Sequence, residues 1–334
     1  MEVEPFSLPL SRPLETAAGT IETRQGFLVK VTVAGEAGLG EATPLPGWTE
    51  SIESCRAALE AVDDPVAAMQ GDGLQDAPAA RHGVSLAVLD AQSRAADRPL
   101  YRFMGGNERV DSVPVNATVG DGTSEETASA VERAVREGYP AVKLKVGARG
   151  AEEDLDRLRA VRATCPDVAI RLDANGAWDE ATADRLLPTL ADLGVSVLEQ
   201  PLPAADLKAH EELRGRGVDI ALDEGLVEHG PETVLGAEPA DILVCKPMAL
   251  GGIDVARNVV RSARTAGVDG LVTTTIDGAI ARAGAVHLAA SIPDIAPCGL
   301  ATGDLLGSDL REGVAAVVEG SAAVPQGKGN IPPR

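Results

Sequence analysis

Aromatic residues and lysine are scarce in this 334-residue chain. Phe, Trp and Tyr together make up 2% of the sequence, and only six of the 30 basic residues are lysine. The net charge is −21, which argues against nucleic acid and anionic membranes as partners because both would repel the chain. An acidic, lysine-poor surface is typical of halophilic proteins, which remain soluble in strong brine.

The chain also lacks features of export, membrane insertion and disulfide formation. The N-terminal segment MEVEPFSLPL has no basic residue and no long apolar stretch, so no export signal is expected. No run approaches the roughly 18 apolar residues of a membrane span. The four cysteines have no paired spacing, which disfavours disulfides and a zinc site. We therefore expect a cytoplasmic protein that does not associate with membranes.

Two regions of different pattern follow one another. In residues 1–110, a strand-like run at 27–33 and a turn at 38–41 into a second short strand precede helical patterns at 51–62 and 80–96. Strands followed by helices predict a separate α+β domain. At the other end of the chain, the Gly/Pro-rich tail from Val324 is predicted to be extended, either packed on the surface or frayed.

From Val113 onward, short apolar runs alternate with helical stretches. Eight strand-like runs occur at 113–119, 141–146, 169–173, 196–199, 219–222, 242–245, 270–274 and 295–298. This α/β pattern of eight βα repeats predicts a parallel TIM-type barrel. A doubly wound open sheet is the alternative, but the Gly-rich phosphate loops of such folds are absent after the strands.

Three acids, Asp173, Glu199 and Asp223, each end one of these runs, with gaps of 26 and 24 residues. One strand-loop-helix unit needs about that length, so the acids recur at successive carboxyl ends, where barrels place catalytic groups. Three carboxylates at one barrel mouth repel each other unless a cation lies between them, and oxygen ligands suit Mg²⁺ or Mn²⁺. A single acid at a strand end is more often a helix cap, but three in register predict a metal site.

Half of the lysines belong to the same repeats. Lys143 and Lys145 lie two residues apart on one strand, so both side chains point to the same face, and Lys246 ends the strand after Asp223. A lysine beside other cations loses its proton more readily, and arginine cannot replace a group that must lose its proton. A base next to a metal predicts proton abstraction from the carbon beside a substrate carboxylate.

The motifs VKLKVG, RLDANGAW, LEQP, LDEG and KPMALGG, with GEATPLPGWTES nearer the N-terminus, resemble the enolase superfamily and its muconate-lactonizing subgroup. The resemblance implies a (β/α)7β barrel in residues 111–304. It also implies an α+β capping domain in residues 1–110, completed by residues from about 305 to 334.

The resemblance further implies a role for each charged residue of the barrel mouth. Lys145 is expected to be the catalytic base and Lys143 the neighbour that helps it lose its proton. Lys246 is expected to be a second base, or a cation over the anionic intermediate. The implied Mg²⁺ ligands are Asp173, Glu199 and Asp223.

The region after the seventh strand resembles that of o-succinylbenzoate synthases. Thr273, Thr274 and Thr275 are expected to bind a substrate carboxylate, and Asn175 and Gly299 are further expected substrate contacts. Similar dipeptide epimerases carry Asp-x-Asp on the eighth strand to hold the substrate ammonium, whereas this chain has PCGL there. The implied reaction is dehydration of 2-succinyl-6-hydroxy-2,4-cyclohexadiene-1-carboxylate to o-succinylbenzoate, a step of menaquinone synthesis.

Two other functions remain open at this point. One is racemisation of N-acylamino acids or cycloisomerisation of muconate-like acids. The other is an inactive, metal-stabilised scaffold, which the burial of three lysines beside a metal site opposes. In each enzyme reading the partner is a small carboxylate, and the sequence leaves open whether the chain forms a homo-oligomer. A loop at 14–24 is expected to close over the substrate, with Arg24 meeting its carboxylate.

Overall fold

The computed structural model describes residues 1–16 and 19–332 of the chain. An antiparallel sheet comes first, in the order β1-β2-β3. Its strands are β1 (Glu2–Thr16), β2 (Gly19–Val33) and β3 (Glu36–Ala42). The turn between β2 and β3 lies at Ala34 and Gly35, which both have positive φ. It therefore comes earlier in the chain than predicted.

Two glycines of β3 allow a helix to cross the sheet at close range. The helices of this region are α1 (Ile52–Glu60), α2 (Pro65–Gln70), α3 (Pro78–Ala95) and α4 (Leu100–Phe103). A Cβ atom at Gly38 would overlap the carbonyl oxygen of Ala87 in α3, and one at Gly40 would overlap that of Gly83. These glycines serve packing rather than a turn, which is why the predicted turn at 38–41 is wrong.

A short strand, β4 (Ser112–Pro114), leads into a sheet of seven parallel strands whose spatial order follows the chain. These strands are β5 (Asn116–Val119), β6 (Ala141–Lys145), β7 (Ala169–Asp173), β8 (Val195–Glu199), β9 (Asp219–Leu222), β10 (Ile242–Cys245) and β11 (Asp269–Val272). The predicted α/β barrel is confirmed, because one strand follows the next around a curled sheet.

Helices connect the strands and cover the outside of the sheet. They are α5 (Ser124–Arg136), α6 (Ala151–Thr164), α7 (Glu180–Asp192), α8 (Leu207–Leu213), α9 (Glu224–His229), α10 (Pro231–Ala237), α11 (Pro247–Leu250), α12 (Ile253–Thr265) and α13 (Ala279–Ala290). Leu144, Leu172 and Leu198 face these helices and are fully buried. Because side chains alternate along a strand, the charged residue after each leucine faces the barrel interior.

The eighth barrel position is a two-sided bridge rather than a regular strand. Cys298 bridges Val115, just before β5, and Gly299 bridges Thr273, just after β11. The backbone N–H of Cys298 donates to Pro114 O at 2.9 Å, and that of Gly299 donates to Val272 O at 2.9 Å. The strand predicted at 295–298 is therefore replaced by a short segment that still joins the two edges of the sheet.

The C-terminal segment, described up to residue 332, packs against both the capping region and the barrel. A 3₁₀ turn (Gly303–Leu305), β12 (Val317–Val318) and β13 (Ser321–Ala323) precede the tail, and β13 pairs with β4. Asn330 is fully buried. Its N–H donates to Asp90 of α3 at 2.6 Å and its side chain to Ile280 O of α13 at 2.9 Å. The tail is thus packed between capping region and barrel, and we propose a division at residues 110 and 304.

Candidate functional site

The structure brings the three predicted acids together at the carboxyl ends of neighbouring strands. Asp173 ends β7, Glu199 ends β8, and Asp223 directly follows β9. Asp173 and Glu199 are register partners in the sheet. All three are almost fully buried, with 1%, 3% and 2% of their surface exposed. Buried carboxylates need charged partners, and these come from the lysines.

Both lysines of β6 reach the same acid. Lys143 Nζ donates to Asp173 Oδ2 at 2.9 Å and to Glu199 Oε1 at 2.8 Å. Lys145 Nζ donates to Asp173 Oδ2 at 2.6 Å and to Asn175 Oδ1 at 2.7 Å. Their side chains are 15% and 38% exposed. Lys145 is therefore the more accessible of the two to a molecule that enters the barrel mouth.

Lys246 approaches from the other side of the barrel. Its ammonium group forms an ion pair with Asp223. The same Nζ lies 3.3 Å from the ring centroid of Trp48, which comes from the capping region. A cation over an indole face is stabilised by the ring quadrupole. The sequence predicts no role for Trp48, and its place in the GEATPLPGWTES motif is the signal that points to it.

Two polar residues that lie close to the acids in sequence, Asn175 and Gln200, form hydrogen bonds that fix the structure around them. Gln200 Oε1 accepts from the N–H groups of Asp223 and Gly225, each at 3.1 Å. Asn175 donates to Glu224 Oε1 at 3.0 Å. Gln200 and Asn175 both have positive φ, at 41° and 44°, a conformation that is uncommon outside glycine. Gln200 thus aligns two successive strand ends, and Asn175 links Lys145 to the first residue of α9.

The electrostatic balance differs among the groups. Burial disfavours the charged form of Lys143, but Glu199, Asp173 and Asp223 outweigh it and raise its pKa. Burial opposes ionisation of Asp173, yet Lys143 and Lys145 hold its pKa well below the usual range. Burial, with Asp173 and Asp223 adding and Lys143 opposing, raises the pKa of Glu199 to about 7. At Glu199, therefore, burial and the negative charges of Asp173 and Asp223 outweigh the positive charge of Lys143.

Two buried carboxylate oxygens at the mouth, Asp223 Oδ1 and Glu224 Oε2, have no hydrogen-bond partner among the described residues. An unsatisfied buried carboxylate oxygen is costly unless a cation or donor reaches it. The donor set fits Mg²⁺, which prefers carboxylate oxygens. In the described part of the chain no three acidic, His or Cys side chains are spaced as a ready metal cage, because lysines stand between these carboxylates. Metal binding would require them to move aside.

The predicted substrate threonines use their hydroxyls within the protein. Thr273 Oγ1 donates to Gly299 O at 2.9 Å. Thr274 Oγ1 pairs with Thr302 Oγ1 at 2.8 Å, and Thr275 Oγ1 donates to Asp277 Oδ1 at 2.5 Å. Thr274 and Thr275 are 5% and 3% exposed. The structure brings Thr273 and Gly299 together, and their role towards a substrate remains a prediction.

Arg24 is committed to the protein backbone. It donates to Thr43 O at 2.8 Å, Pro44 O at 3.1 Å and Ile276 O at 3.2 Å, and is 3% exposed. In this structure its guanidinium joins capping region to barrel, and its expected contact with a substrate carboxylate stays a prediction. The predicted loop at 14–24 lies partly outside the described residues.

A second group of buried acids sits where β3 meets α13. Glu41 is fully buried and accepts from Thr43 Oγ1 at 2.5 Å and from the N–H groups of Gly278 at 2.6 Å and Ala281 at 2.9 Å. Burial, with Asp277 adding to it, raises the pKa of Glu41 to about 7. The first turn of α13 supplies the N–H groups that make this carboxyl tolerable.

The fold and the site together define an enzyme of the enolase superfamily, to which the chain belongs. The family model described as enolase C-terminal domain-like matches residues 126–330, and the model described as the N-terminal domain of MenC matches residues 2–91. The resemblance seen in the motifs is thereby confirmed. Among the described residues, no helix is long and apolar enough to cross a bilayer.

Three relatives illustrate the range of the superfamily. Muconate cycloisomerase 1 of Rhodococcus opacus is 30% identical over 98% of this chain and 94% of that protein. The o-succinylbenzoate synthase of Thermobifida fusca is 39% identical, over 60% of this chain and 62% of that protein. A dipeptide epimerase structure from Methylococcus capsulatus, complexed with Mg and L-Arg-D-Lys, has a TM-score of 0.86 at 30% identity, covering 98% of this chain and 97% of that one.

Proposed function

We propose that this enzyme is an Mg²⁺-dependent o-succinylbenzoate synthase, which dehydrates 2-succinyl-6-hydroxy-2,4-cyclohexadiene-1-carboxylate. Two similarities support the proposal: the match of residues 2–91 to the MenC N-terminal domain, and the 39% identity to a synthase. In this reading the enzyme is a carbon–oxygen lyase of menaquinone synthesis.

The observation that carries the proposal is the chemistry of the eighth barrel position. The segment from Pro297 to Leu300 has no acid, and Cys298 and Leu300 are fully buried. The next acid along the chain, Asp304, is exposed in the 3₁₀ turn. A substrate ammonium at this position would lack a carboxylate partner, whereas a substrate whose polar groups are carboxylates, a ketone and a hydroxyl needs none. This disfavours dipeptides and free amino acids.

We propose Asp173, Glu199 and Asp223 as the residues that would hold Mg²⁺. A bound Mg²⁺ supplies positive charge that offsets the negative charge built up on the substrate carboxylate. The unpartnered oxygen of Asp223 is the feature of this chain that fits such a cation best. Lys143, shared between the other two acids, would balance their remaining charge.

Lys145 is proposed to move the proton. Its Nζ takes the hydrogen from the ring carbon that bears the carboxylate, and the electron pair of that C–H bond becomes part of the new ring double bond. The bond from the adjacent ring carbon to its hydroxyl breaks. Lys145 returns the proton to the departing hydroxide, which leaves as water. Asn175, at 2.7 Å from Nζ, would orient the amine once the contact to Asp173 is released.

Lys246 is proposed to act as a fixed cation on the far side of the ring. Counting from β5, Lys145 lies on the second barrel strand and Lys246 directly follows the sixth, so the two face each other across the mouth. Asp223 and Trp48 hold the Lys246 ammonium. From there it can stabilise negative charge on the substrate without moving.

The test is turnover of the proposed substrate by the purified enzyme with Mg²⁺ in multimolar KCl, followed by the loss of diene absorbance. Rapid conversion that EDTA abolishes and added Mg²⁺ restores is the expected result. A folded enzyme that binds Mg²⁺ and leaves the substrate unchanged would refute the synthase assignment.

Racemisation of N-acylamino acids, or cycloisomerisation of muconate-like acids, is the second candidate. The facing positions of Lys145 and Lys246 favour it, because two bases on opposite sides can exchange a proton on either face. In ²H₂O, both enantiomers of an N-succinylamino acid should then gain deuterium. Exchange from one enantiomer only, or from neither, would count against racemisation.

A further inference from the structure

A cavity of about 700 Å³ lies at the end of the barrel opposite the three acids. Its wall includes residues 112–114, directly before β5, and 292–295, directly before the closing segment at 298–299. Parallel strands share one direction, so these residues mark the amino ends, whereas Asp173 and Glu199 mark the carboxyl ends. The cavity falls within the size range of small-molecule sites.

One face of α12 lines this cavity with arginines. Arg257, Arg261 and Arg264 recur at helical spacing, so their side chains share one face. Arg264 is already bound, to Asp269 at 2.9 Å and to Pro293 O at 2.6 Å. Arg257 Nε donates to Ser291 Oγ at 3.2 Å, which directs its guanidinium along the wall. Arg261 is exposed at the rim.

Two of these arginines have no counter-charge. In the part of the chain that the structure describes, neither Arg257 nor Arg261 forms an ion pair. Burial and the positive charge of Arg261 lower the pKa of Arg257. Glu108 and Asp294 also line the cavity, but both are exposed and neither bonds to an arginine among residues 1–16 and 19–332. Two neighbouring, unpaired cations are unusual in a chain with 51 acids and 30 bases.

Part of the wall is apolar. Val113, Val260, Ala289 and Ile292 line the cavity, and each is at most 7% exposed. An apolar part of the wall next to two unpaired cations matches a ligand with an apolar body and one acidic group. Such a ligand gains from burial of its body and from charge-assisted hydrogen bonds to the guanidinium groups.

We propose that this cavity is a binding site for an amphipathic organic anion, with its acidic group against Arg257 and Arg261 and its apolar body against Val113, Val260 and Ile292. This site is separate from the proposed catalytic mouth and does not depend on the proposed function. Its ligand class is that of small aliphatic or aromatic carboxylates and sulfonates.

The test uses two fluorescent probes of similar shape, 1-anilinonaphthalene-8-sulfonate and the uncharged N-phenyl-1-naphthylamine, titrated into the folded full-length enzyme at constant KCl. We expect one equivalent of the sulfonate to bind, displaced by octanoate. R261Q changes an exposed side chain and should weaken binding of the sulfonate about tenfold, the effect of one lost charge-assisted contact. R257Q should do the same if its melting temperature is unchanged.

The matched control is R133Q, since Arg133 is an exposed arginine on α5 whose side chain hydrogen-bonds only to Ser129 within the described residues. It should bind the sulfonate as the parent enzyme does. Equal binding of both probes would overturn the proposal, because the cavity would then select only for apolar bodies. Unchanged affinity in R261Q, displacement by inorganic sulfate but not octanoate, or no binding at all would overturn it as well.

Discussion

Two groups of buried carboxylates in this protein have different partners. At the barrel mouth, Asp173 and Asp223 are bonded to lysine ammonium groups, and Asp223 keeps one oxygen without a partner. At the junction of capping region and barrel, Glu41 is satisfied by a threonine hydroxyl and two backbone N–H groups. Burial alone therefore does not distinguish the proposed metal ligands from the carboxyl group at the junction; lysine partners and an unsatisfied oxygen do.

Among the substitutions that compare the barrel mouth with the junction, K145A should have the largest effect. Removing the proposed base should lower kcat by about 10²–10⁴-fold, the usual contribution of a general base, while the melting temperature changes little because this side chain is 38% exposed. Steady-state turnover of the proposed substrate measures it. K208A, at a lysine that is 86% exposed on α8, is the control and should retain full activity. Substantial turnover by K145A would remove Lys145 as the base.

Glu41 should instead affect stability and its pH dependence. Its pKa of about 7 lies above the usual 4.5, so the folded state binds a proton that the unfolded chain has lost between these pH values. Stability from this group is therefore complete below pH 4.5 and falls by about 3 kcal/mol as pH rises to 7. E41Q should flatten this part of the profile in denaturant unfolding at pH 5 and pH 8. Parallel profiles for parent and variant would contradict the assignment.

Metal affinity should distinguish the mouth from the junction. D223N removes one proposed ligand charge, and Mg²⁺ should bind at least about tenfold more weakly, since even outer-shell changes have effects of that size. Calorimetric titration and the Mg²⁺-dependent rise in melting temperature measure it. E41Q should bind Mg²⁺ as the parent does. If Mg²⁺ neither binds nor stabilises the parent enzyme, the proposed metal site is wrong.

The smallest effect is expected where the capping region meets the mouth. W48L removes the ring beneath Lys246 and should lower kcat/KM by up to about tenfold, in line with a cation–π contact of roughly 0.5–2 kcal/mol. W48F keeps an aromatic face and should recover most of the loss. Identical kinetics for W48L and the parent would show that this contact does not position Lys246.

The sequence was sufficient to predict which acids and lysines lie at the barrel mouth, because their positions follow from local rules. Strand alternation directs Lys143 and Lys145 to one face, and the length of a βα unit returns an acid to the same end each time. The helices at 51–62 and 80–96 were likewise predictable from their apolar spacing.

Local patterns are least informative where a glycine or a charged residue contacts a distant element. Glycine is typical of turns, yet Gly38 lies inside β3, where the close approach of α3 leaves no room for a side chain. Arg24 has the charge to meet a substrate carboxylate, yet three backbone carbonyls of the junction bind it. Neither outcome follows from neighbouring residues, because the contacting atoms belong to elements far along the chain.

By itself, then, the sequence determined the order of the barrel strands and which charged residues end them, since both depend on periodicity and spacing within a few tens of residues. Only the tertiary structure decided which charges meet. It brings Trp48 over Lys246, places Glu41 at the start of α13, and sets Arg257 beside Arg261 with no ion pair to either among the described residues. Those pairings depend on how the capping region and the helices pack around the barrel, which no local pattern encodes.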